Sequence, residues 1–365
     1  MKVCASFAIN FFSATISLAV ITACSTPTTT RTLSPELSAA AVPVKAVAPR
    51  LSSALTYIAP KITQVLRTPD VNFQNLPDYN FKPNYVFVEP NIRMHYVDEG
   101  PKNGEVILLL HGQPTWSYIY RNMIPVLANA GFRVIAPDLI GYGKSDKPAA
   151  MSDYSYARHV EWVQRFIAQL RLEKINLVVH DWGGMIGVRI AALQPEQMSR
   201  LILMDTSFNN GYEVYTPRYA EGFARWRAYL RETKDLKFGP AIAVNIFSPP
   251  ASDVLEAYDA PYPDDSYKAG ARIMSSLIPI TPEQAGAAEN RRLEPVLNVW
   301  KTPVLIAFTS TSERVHPGQR KRFLDLFPAS VIWRNASIDD AKHYLQESKS
   351  KEIAELIIEF IKATK

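Results

Sequence analysis

The run Ile175-Asn176-Leu177-Val178-Val179-His180-Asp181-Trp182-Gly183-Gly184-Met185-Ile186-Gly187 decides how this chain folds. Its first half is an apolar run bounded by polar residues, the pattern of a buried parallel strand, and the glycine-containing half behind it opens a helix. A residue at such a strand-to-helix corner is pushed outward on a strained backbone, so its neighbours must be small, and Gly183 and Gly184 meet that need. The corner residue is Asp181. A carboxylate with an ordinary pKa of about 3.9 is ionised at neutral pH and can attack carbon without a base to deprotonate it first. The plainer alternative is an Asp that only caps the following helix. The strand before it and the paired glycines after it favour the nucleophile.

Working outward, Val106-Ile107-Leu108-Leu109-Leu110-His111-Gly112-Gln113-Pro114-Thr115-Trp116-Ser117-Tyr118 is a second buried strand running into a glycine-containing turn. The pair His-Gly-Gln-Pro-Thr-Trp-Ser-Tyr and His-Asp-Trp-Gly-Gly resembles the haloalkane dehalogenases, a branch of the α/β-hydrolase superfamily. The similarity runs from about Tyr85 to the C-terminus and includes Asp138-Leu139-Ile140-Gly141-Tyr142-Gly143-Lys144-Ser145-Asp146-Lys147-Pro148. His-Asp-Trp-Gly-Gly alone is shared with epoxide hydrolases. Its combination with Pro114-Thr115-Trp116-Ser117-Tyr118 is far more specific.

With 365 residues, 47% of them hydrophobic, the chain can bury a full α/β core and has length left for a leader and an insertion. A net charge of +5 without a dense Lys/Arg block describes a solvated surface rather than a nucleic-acid footprint. The two cysteines, Cys4 and Cys24, lie in the first stretch, so the catalytic body has no thiol for a disulfide, a metal or nucleophilic attack. No phosphate-binding glycine loop and no His-Glu-x-x-His occurs, so no cofactor or metal is expected.

Residues 1–23 carry one Lys and then an almost uncharged apolar run, the pattern of a secretory signal. The end, Ile21-Thr22-Ala23-Cys24, resembles the bacterial lipobox, which implies lipidation of Cys24, a membrane anchor and outer-membrane sorting with Ser25 behind it. A cleaved soluble signal and an uncleaved anchor are the alternatives. Residues 24–67 are rich in Ser, Thr, Pro and Ala and read as a tether, with Leu51 to Leu66 a candidate short helix.

The body then alternates strands and helices, which predicts a mainly parallel sheet covered on both faces. Strands are expected at Tyr85–Val88 and Ile92–Val97 as a hairpin, then at Val106, Phe132–Ala136, Ile175, Leu201–Met204, Val304–Phe308 and Val331–Trp333. Helices are expected near Ile119–Ala128, Tyr156–Leu170, Arg320–Phe327 and Lys351–Ile361. Residues 68–205 and 296–365 form the two parts of an α/β-hydrolase core. Residues 206–295, helical in pattern and rich in aromatics, interrupt the alternation after the sixth core strand as a cap. Ala257-Tyr258-Asp259-Ala260-Pro261-Tyr262-Pro263-Asp264 and Tyr267-Lys268-Ala269-Gly270-Ala271-Arg272 resemble the cap of the family's first subfamily.

An alkyl ester on Asp181 has to be hydrolysed, which needs a base for water. His343, in Asp340-Ala341-Lys342-His343-Tyr344-Leu345-Gln346-Glu347, follows the last strand, and nucleophile before His is the superfamily's chain order. His111 and His180 flank the two turns and read as packing or backbone-shaping residues; His95, His159 and His316 belong to no motif. The acid that orients His343 departs from the first subfamily, whose Asp after the seventh strand is replaced here by Ser312. Other subfamilies carry the acid after the sixth strand, where this chain has Asp205. Glu313, one residue out of register, is the competitor, and a turn-capping role is the plain alternative for Asp205. The resemblance implies that Trp182 and Trp226 donate indole N–H groups to the leaving halide. It also implies that Gln113 touches the halide or the hydrolytic water, and that the backbone N–H groups of Gln113 and Trp182 form an oxyanion hole. The whole implies cofactor-free hydrolysis of a haloalkane through an aspartyl ester. An epoxide hydrolase with cap tyrosines, among Tyr212, Tyr215, Tyr219, Tyr229, Tyr258, Tyr262 and Tyr267, is the nearest rival, and an idle binding protein on the same fold is a further one.

Overall fold

A computed structural model describes residues 61–315, 318–330 and 332–365. The leader, Cys24, the tether up to residue 60 and His316 lie outside them. Eight strands form the main sheet: β1 (Asn84–Glu89), β2 (Ile92–Glu99), β3 (Val106–Leu110), β4 (Arg133–Pro137), β5 (Ile175–Asp181), β6 (Met198–Thr206), β7 (Val304–Thr309) and β8 (Ile332–Ile338). Their order is β8-β7-β6-β5-β3-β4-β2-β1. The hairpin β1–β2 joins β4 antiparallel, and all other neighbours run parallel. Isoleucine, leucine and valine dominate β3, β5 and the middle of β6, the composition expected of strands covered on both faces.

Helices α1 (Ile124–Asn129), α2 (Tyr156–Gln169) and α3 (Trp182–Leu193) connect the central strands. Ser155 caps α2 by accepting the Arg158 N–H, and its Tyr156, Val160, Val163, Phe166 and Ile167 face the core at helical spacing. The path β3–α1–β4 moves one way along the sheet and β4–α2–β5 crosses back past β3. Right-handed crossovers therefore put α1 and α2 on opposite faces and leave a crevice where β3 and β5 end side by side.

Between β6 and β7 the chain forms α4 (Pro217–Glu232), α5 (Phe238–Ala243), α6 (Ser252–Glu256) and α7 (Ala269–Ile273), then α8 (Ala287–Asn298). The boundary expected at 295 falls inside α8. That helix packs on α3, and its Asn290 accepts from Arg189, so it covers the sheet, and the insertion proper ends by Gly286. After β7 come α9 (Ser310–Val315), α10 (Gln319–Leu326) and, last, α11 (Leu345–Ala363), which packs against α1.

Three further expectations need correction. The tether does not reach residue 67: Val65–Leu66 pairs antiparallel with Lys147–Pro148, and Arg67 is ion-paired with Asp146 at 2.9 Å. The same pairing excludes a helix at the end of the Leu51–Leu66 stretch. The helix expected at Ile119–Ala128 is a 3-10 turn, Ser117–Tyr120, followed by α1. Pro125 in the first turn of α1 has no N–H to continue an earlier helix.

The loop after β4 is tied down by Asp138. Its buried carboxylate pairs with His95 Nδ1 (2.8 Å) and accepts the Ser117 and Lys144 backbone N–H groups (2.8 and 2.7 Å). Burial pushes this carboxyl up, but the charge and hydrogen bond of His95, with His111 and Ser117, bring it down to about 2.

Candidate active site

The crevice at the ends of β3 and β5 holds Asp181. Its backbone lies at φ 50°, ψ −121°, a strained conformation for a residue with a side chain, which turns the chain from β5 directly into α3. A Cβ on Gly183 would strike the Leu110 carbonyl, and one on Gly184 the Thr206 side chain, so the helix can approach the sheet only with glycine at both places. Thr206 also fixes the corner, its hydroxyl donating to the Asp181 carbonyl at 2.6 Å.

The Asp181 carboxylate is held on two sides. Oδ1 accepts the Gln113 backbone N–H at 2.7 Å, and the Trp182 backbone N–H, next along the chain, favours the charged carboxylate electrostatically. Oδ2 lies 3.5 Å from His343 Nε2. Burial pushes the Asp181 carboxyl up, but the hydrogen bond and charge of His343, first among the opposing influences, outweigh it and hold the group below the ordinary carboxylate range. Of the two N–H groups expected to form an oxyanion hole, that of Gln113 is hydrogen-bonded to the carboxylate, and that of Trp182 follows it in the chain.

His343 precedes α11 and is anchored through its own backbone. Its carbonyl accepts the His180 Nε2–H at 2.8 Å, and the two rings lie 4.8 Å apart. His180 is buried and its pKa falls to about 3, through desolvation first and the neighbouring His343 second, so it is neutral at neutral pH. Next along, Tyr344 donates its hydroxyl to the Gln113 carbonyl (3.2 Å), and Glu347 forms a bidentate pair with buried Arg121 (2.6 and 2.8 Å) and accepts from Tyr258 of the insertion. His111 bridges the other turn, its Nδ1 bonded to the Gly112 carbonyl and its Nε2 accepting the Leu139 N–H at 2.9 Å.

Asp205 lies at the end of β6 at φ 31°. Its buried carboxylate accepts the Thr309 N–H (2.8 Å), the Thr309 hydroxyl (2.9 Å) and the Ser312 hydroxyl. Among the described residues it makes no hydrogen bond to His343; it acts on that ring through space, raising its pKa. Burial leaves Asp205 above its ordinary range, partly offset by His343, Ser312 and Thr309. Ser312, at the place where the resemblance expects an acid, donates instead to Asp205 on the neighbouring strand. The Glu313 side chain lies outside the described residues.

The tryptophans differ. Trp182 is 1% exposed, packs edge-on to Tyr156 at 5.4 Å, and its Nε1–H has no hydrogen-bond partner among the described residues. Trp226, on α4, donates its Nε1–H to Ser275 Oγ at 3.1 Å. Ser275 in turn donates to Gln113 Oε1, and Gln113 Nε2 donates to the Ala271 carbonyl at 2.6 Å. The Gln113 side chain therefore joins the loop after β3 to the insertion. Ser275 carries no motif, and the sequence presents Ser312 only at the place of the first subfamily's Asp, not as a donor to Asp205.

The fold and a carboxylate at the strand-to-helix elbow define an α/β hydrolase, and a family model described as alpha/beta hydrolase fold matches residues 105–350. A haloalkane dehalogenase of Psychrobacter cryohalolentis is 40% identical over 302 residues, covering 82% of this chain and 98% of that protein. Another, of Mycobacterium marinum, is 43% identical over 299 residues, with 80% and 98% covered. The haloalkane dehalogenase DpaA from Paraglaciecola agarilytica superposes with a TM-score of 0.72 at 32% identity, over 80% of this chain and 97% of its own. A cis-3-alkyl-4-alkyloxetan-2-one decarboxylase of Xanthomonas campestris is 32% identical over 301 residues, with 78% and 97% covered. This chain belongs to the haloalkane dehalogenase family.

Proposed function

We propose that the protein hydrolyses haloalkanes through an ester on Asp181, and the observation that carries this reading is the buried Trp182 indole N–H, unpartnered among the described residues, in the residue that directly follows that carboxylate. Leaving such a donor without an acceptor costs about 1–3 kcal/mol, so it is kept for a ligand that accepts. A departing halide is a large, soft anion that suits it. Asp181 Oδ2, free of the Gln113 N–H, attacks the carbon bearing halogen; the carbon–halogen bond breaks and halide leaves toward Trp182. Water, deprotonated by His343, then attacks the ester carbonyl carbon, and negative charge collects on the oxygen facing the Gln113 and Trp182 N–H groups. Collapse releases the alcohol and restores the carboxylate. Asp205 supports the imidazolium by its charge.

The electrostatics suit the order of steps. Burial favours neutral His343, but the hydrogen bond and charge of Asp181, with the charge of Asp205, hold its pKa above the ordinary value. Esterification removes the charge of Asp181. The imidazole then binds its proton less tightly, at the moment when it must act as a base.

The test is to incubate the body, from about residue 50 onward, with 1,2-dibromoethane and 1-bromobutane, and to titrate bromide. Rapid-quench measurements from about pH 5 to 9 should give a bromide burst that is flat with pH, because Asp181 is held ionised. Steady turnover should fall on the acid side as His343 of the ester takes up its proton. A burst that falls in step with turnover would place a titrating group in the first step and overturn this division of roles. Absence of bromide and of any adduct from folded protein would favour an epoxide or an oxetanone as substrate.

The leader carries a separate reading. Cys24, behind Ile21-Thr22-Ala23, becomes the lipidated first residue and anchors the enzyme in the bacterial envelope through the tether. Among the described residues no helix is long and apolar enough to cross a membrane. Cys24→Ser in the full chain should abolish palmitate labelling and shift the protein from the membrane pellet to the soluble fraction. Equal labelling of wild type and variant would rule the anchor out.

A further inference from the structure

The chain of bonds from Trp226 through Ser275 and Gln113 to Ala271 has one direction. The Ala271 carbonyl can only accept, so the amide nitrogen of Gln113 must face it, and Oε1 must face Ser275. Oε1 can only accept, so the Ser275 hydroxyl proton points at Gln113. That leaves the Ser275 oxygen as acceptor for the Trp226 indole N–H, at 3.1 Å. Ser275 is 2% exposed, so bulk water does not compete for either bond. The same Gln113 gives its backbone N–H to Asp181. Trp226 is thus linked to the reacting carboxylate by a short relay, yet its N–H is occupied, while that of Trp182 is not.

We propose that Ser275 is a positioning residue that holds the Trp226 N–H in reserve, so that Trp226 reaches a halogen only in competition with the serine oxygen. The inference rests on the haloalkane reading above. The competition discriminates by charge. A halogen still bonded to carbon is a weak acceptor and does not displace a neutral hydroxyl. Halide, or a halogen well advanced toward halide, makes a charge-assisted bond about twice as strong and does. Ser275 thereby withholds one of the two indole donors from the ground state and releases it as charge develops, which is the pattern that favours the transition state over bound substrate. The same device weakens the hold on product halide, because each halide must win the N–H from the serine.

Removing the serine oxygen leaves the Trp226 N–H open at all times. Bromide binding to Ser275→Ala, followed by saturable tryptophan-fluorescence quenching, should be tighter by about 3–10-fold, the factor expected of one neutral hydrogen bond no longer competing. KM for 1-bromobutane should fall while kcat does not rise, since substrate and transition state now share the contact. Ser275→Thr keeps the hydroxyl and should return both values toward wild type. A circular-dichroism melt for each variant separates these effects from loss of fold. Bromide affinity that is unchanged or weaker in folded Ser275→Ala, or not restored by Thr, overturns the competition. Wild type that neither binds bromide nor releases it from substrate would instead defeat the haloalkane reading itself.

Discussion

His343→Phe is expected to release one equivalent of bromide per protein and then stop, with the butyl group of 1-bromobutane left on Asp181. The carboxylate attacks unaided, so the first step survives loss of the imidazole. The second step loses the base proposed for it, and steady turnover should fall by about 10²–10⁴-fold. Two features of the site shape the experiment. His343 heads the influences that hold the Asp181 carboxyl down against burial, so its removal lets that pKa rise. The reaction is therefore best run at about pH 8.5, well above the carboxylate range, where Asp181 remains charged. The His343 carbonyl, not its ring, accepts from His180, so the Phe variant keeps the bond that anchors the loop. Peptide mass spectrometry should find the added alkyl group on Asp181 and nowhere else. Continued turnover near the wild-type rate, or an adduct on another carboxylate, would sink the assignment of these two residues.

Much of this arrangement was legible in the sequence, for identifiable reasons. A parallel strand buried on both faces needs an uninterrupted apolar run, and a side chain at the corner behind it needs glycines where Leu110 and Thr206 approach. Val106–Leu110 and Ile175–Gly184 therefore announce the crevice locally. His343 is legible because it follows the last strand in the expected chain order. Asp205 is legible as a carboxylate at a strand end, but the donors that seat it are not. Thr309 at the end of the adjacent strand and Ser312 in the helix behind it reach Asp205, a juxtaposition set by the pairing of β6 with β7 and invisible along the chain. The pairing of Val65–Leu66 with Lys147–Pro148 spans about eighty residues between two-residue strands, too short for any periodicity to show. The relay through Ser275 depends on how the insertion lies over the loop after β3. A serine hydroxyl placed by tertiary packing carries no signature in sequence. Local rules thus recover the groups proposed to react, whereas the groups that hold them come from packing.

The acid is the position where local pattern and packing have to be combined, and Asp205→Asn tests the result. Asparagine is nearly isosteric and, like aspartate, tolerates the positive φ of this residue. Its carbonyl can keep the Thr309 N–H, and its amide can donate to the Thr309 and Ser312 hydroxyls, which rotate to accept. The fold should therefore survive while one buried negative charge is lost. That charge is among the influences holding the His343 pKa up, so its removal makes the imidazole a weaker base and leaves the imidazolium formed during ester hydrolysis without support. Ester hydrolysis should slow by about 10²-fold, less than the ~10⁴ seen where a triad carboxylate also fixes the histidine tautomer by a direct hydrogen bond. The acid limb of turnover should move to lower pH, because a group whose protonated form has lost a stabilising charge titrates lower. The bromide burst should be unaffected. Glu313→Gln should leave rate and limb unchanged. A loss in Glu313→Gln with Asp205→Asn near wild type would move the acid to Glu313. Equal, small losses in both would mean that His343 works without a dedicated carboxylate.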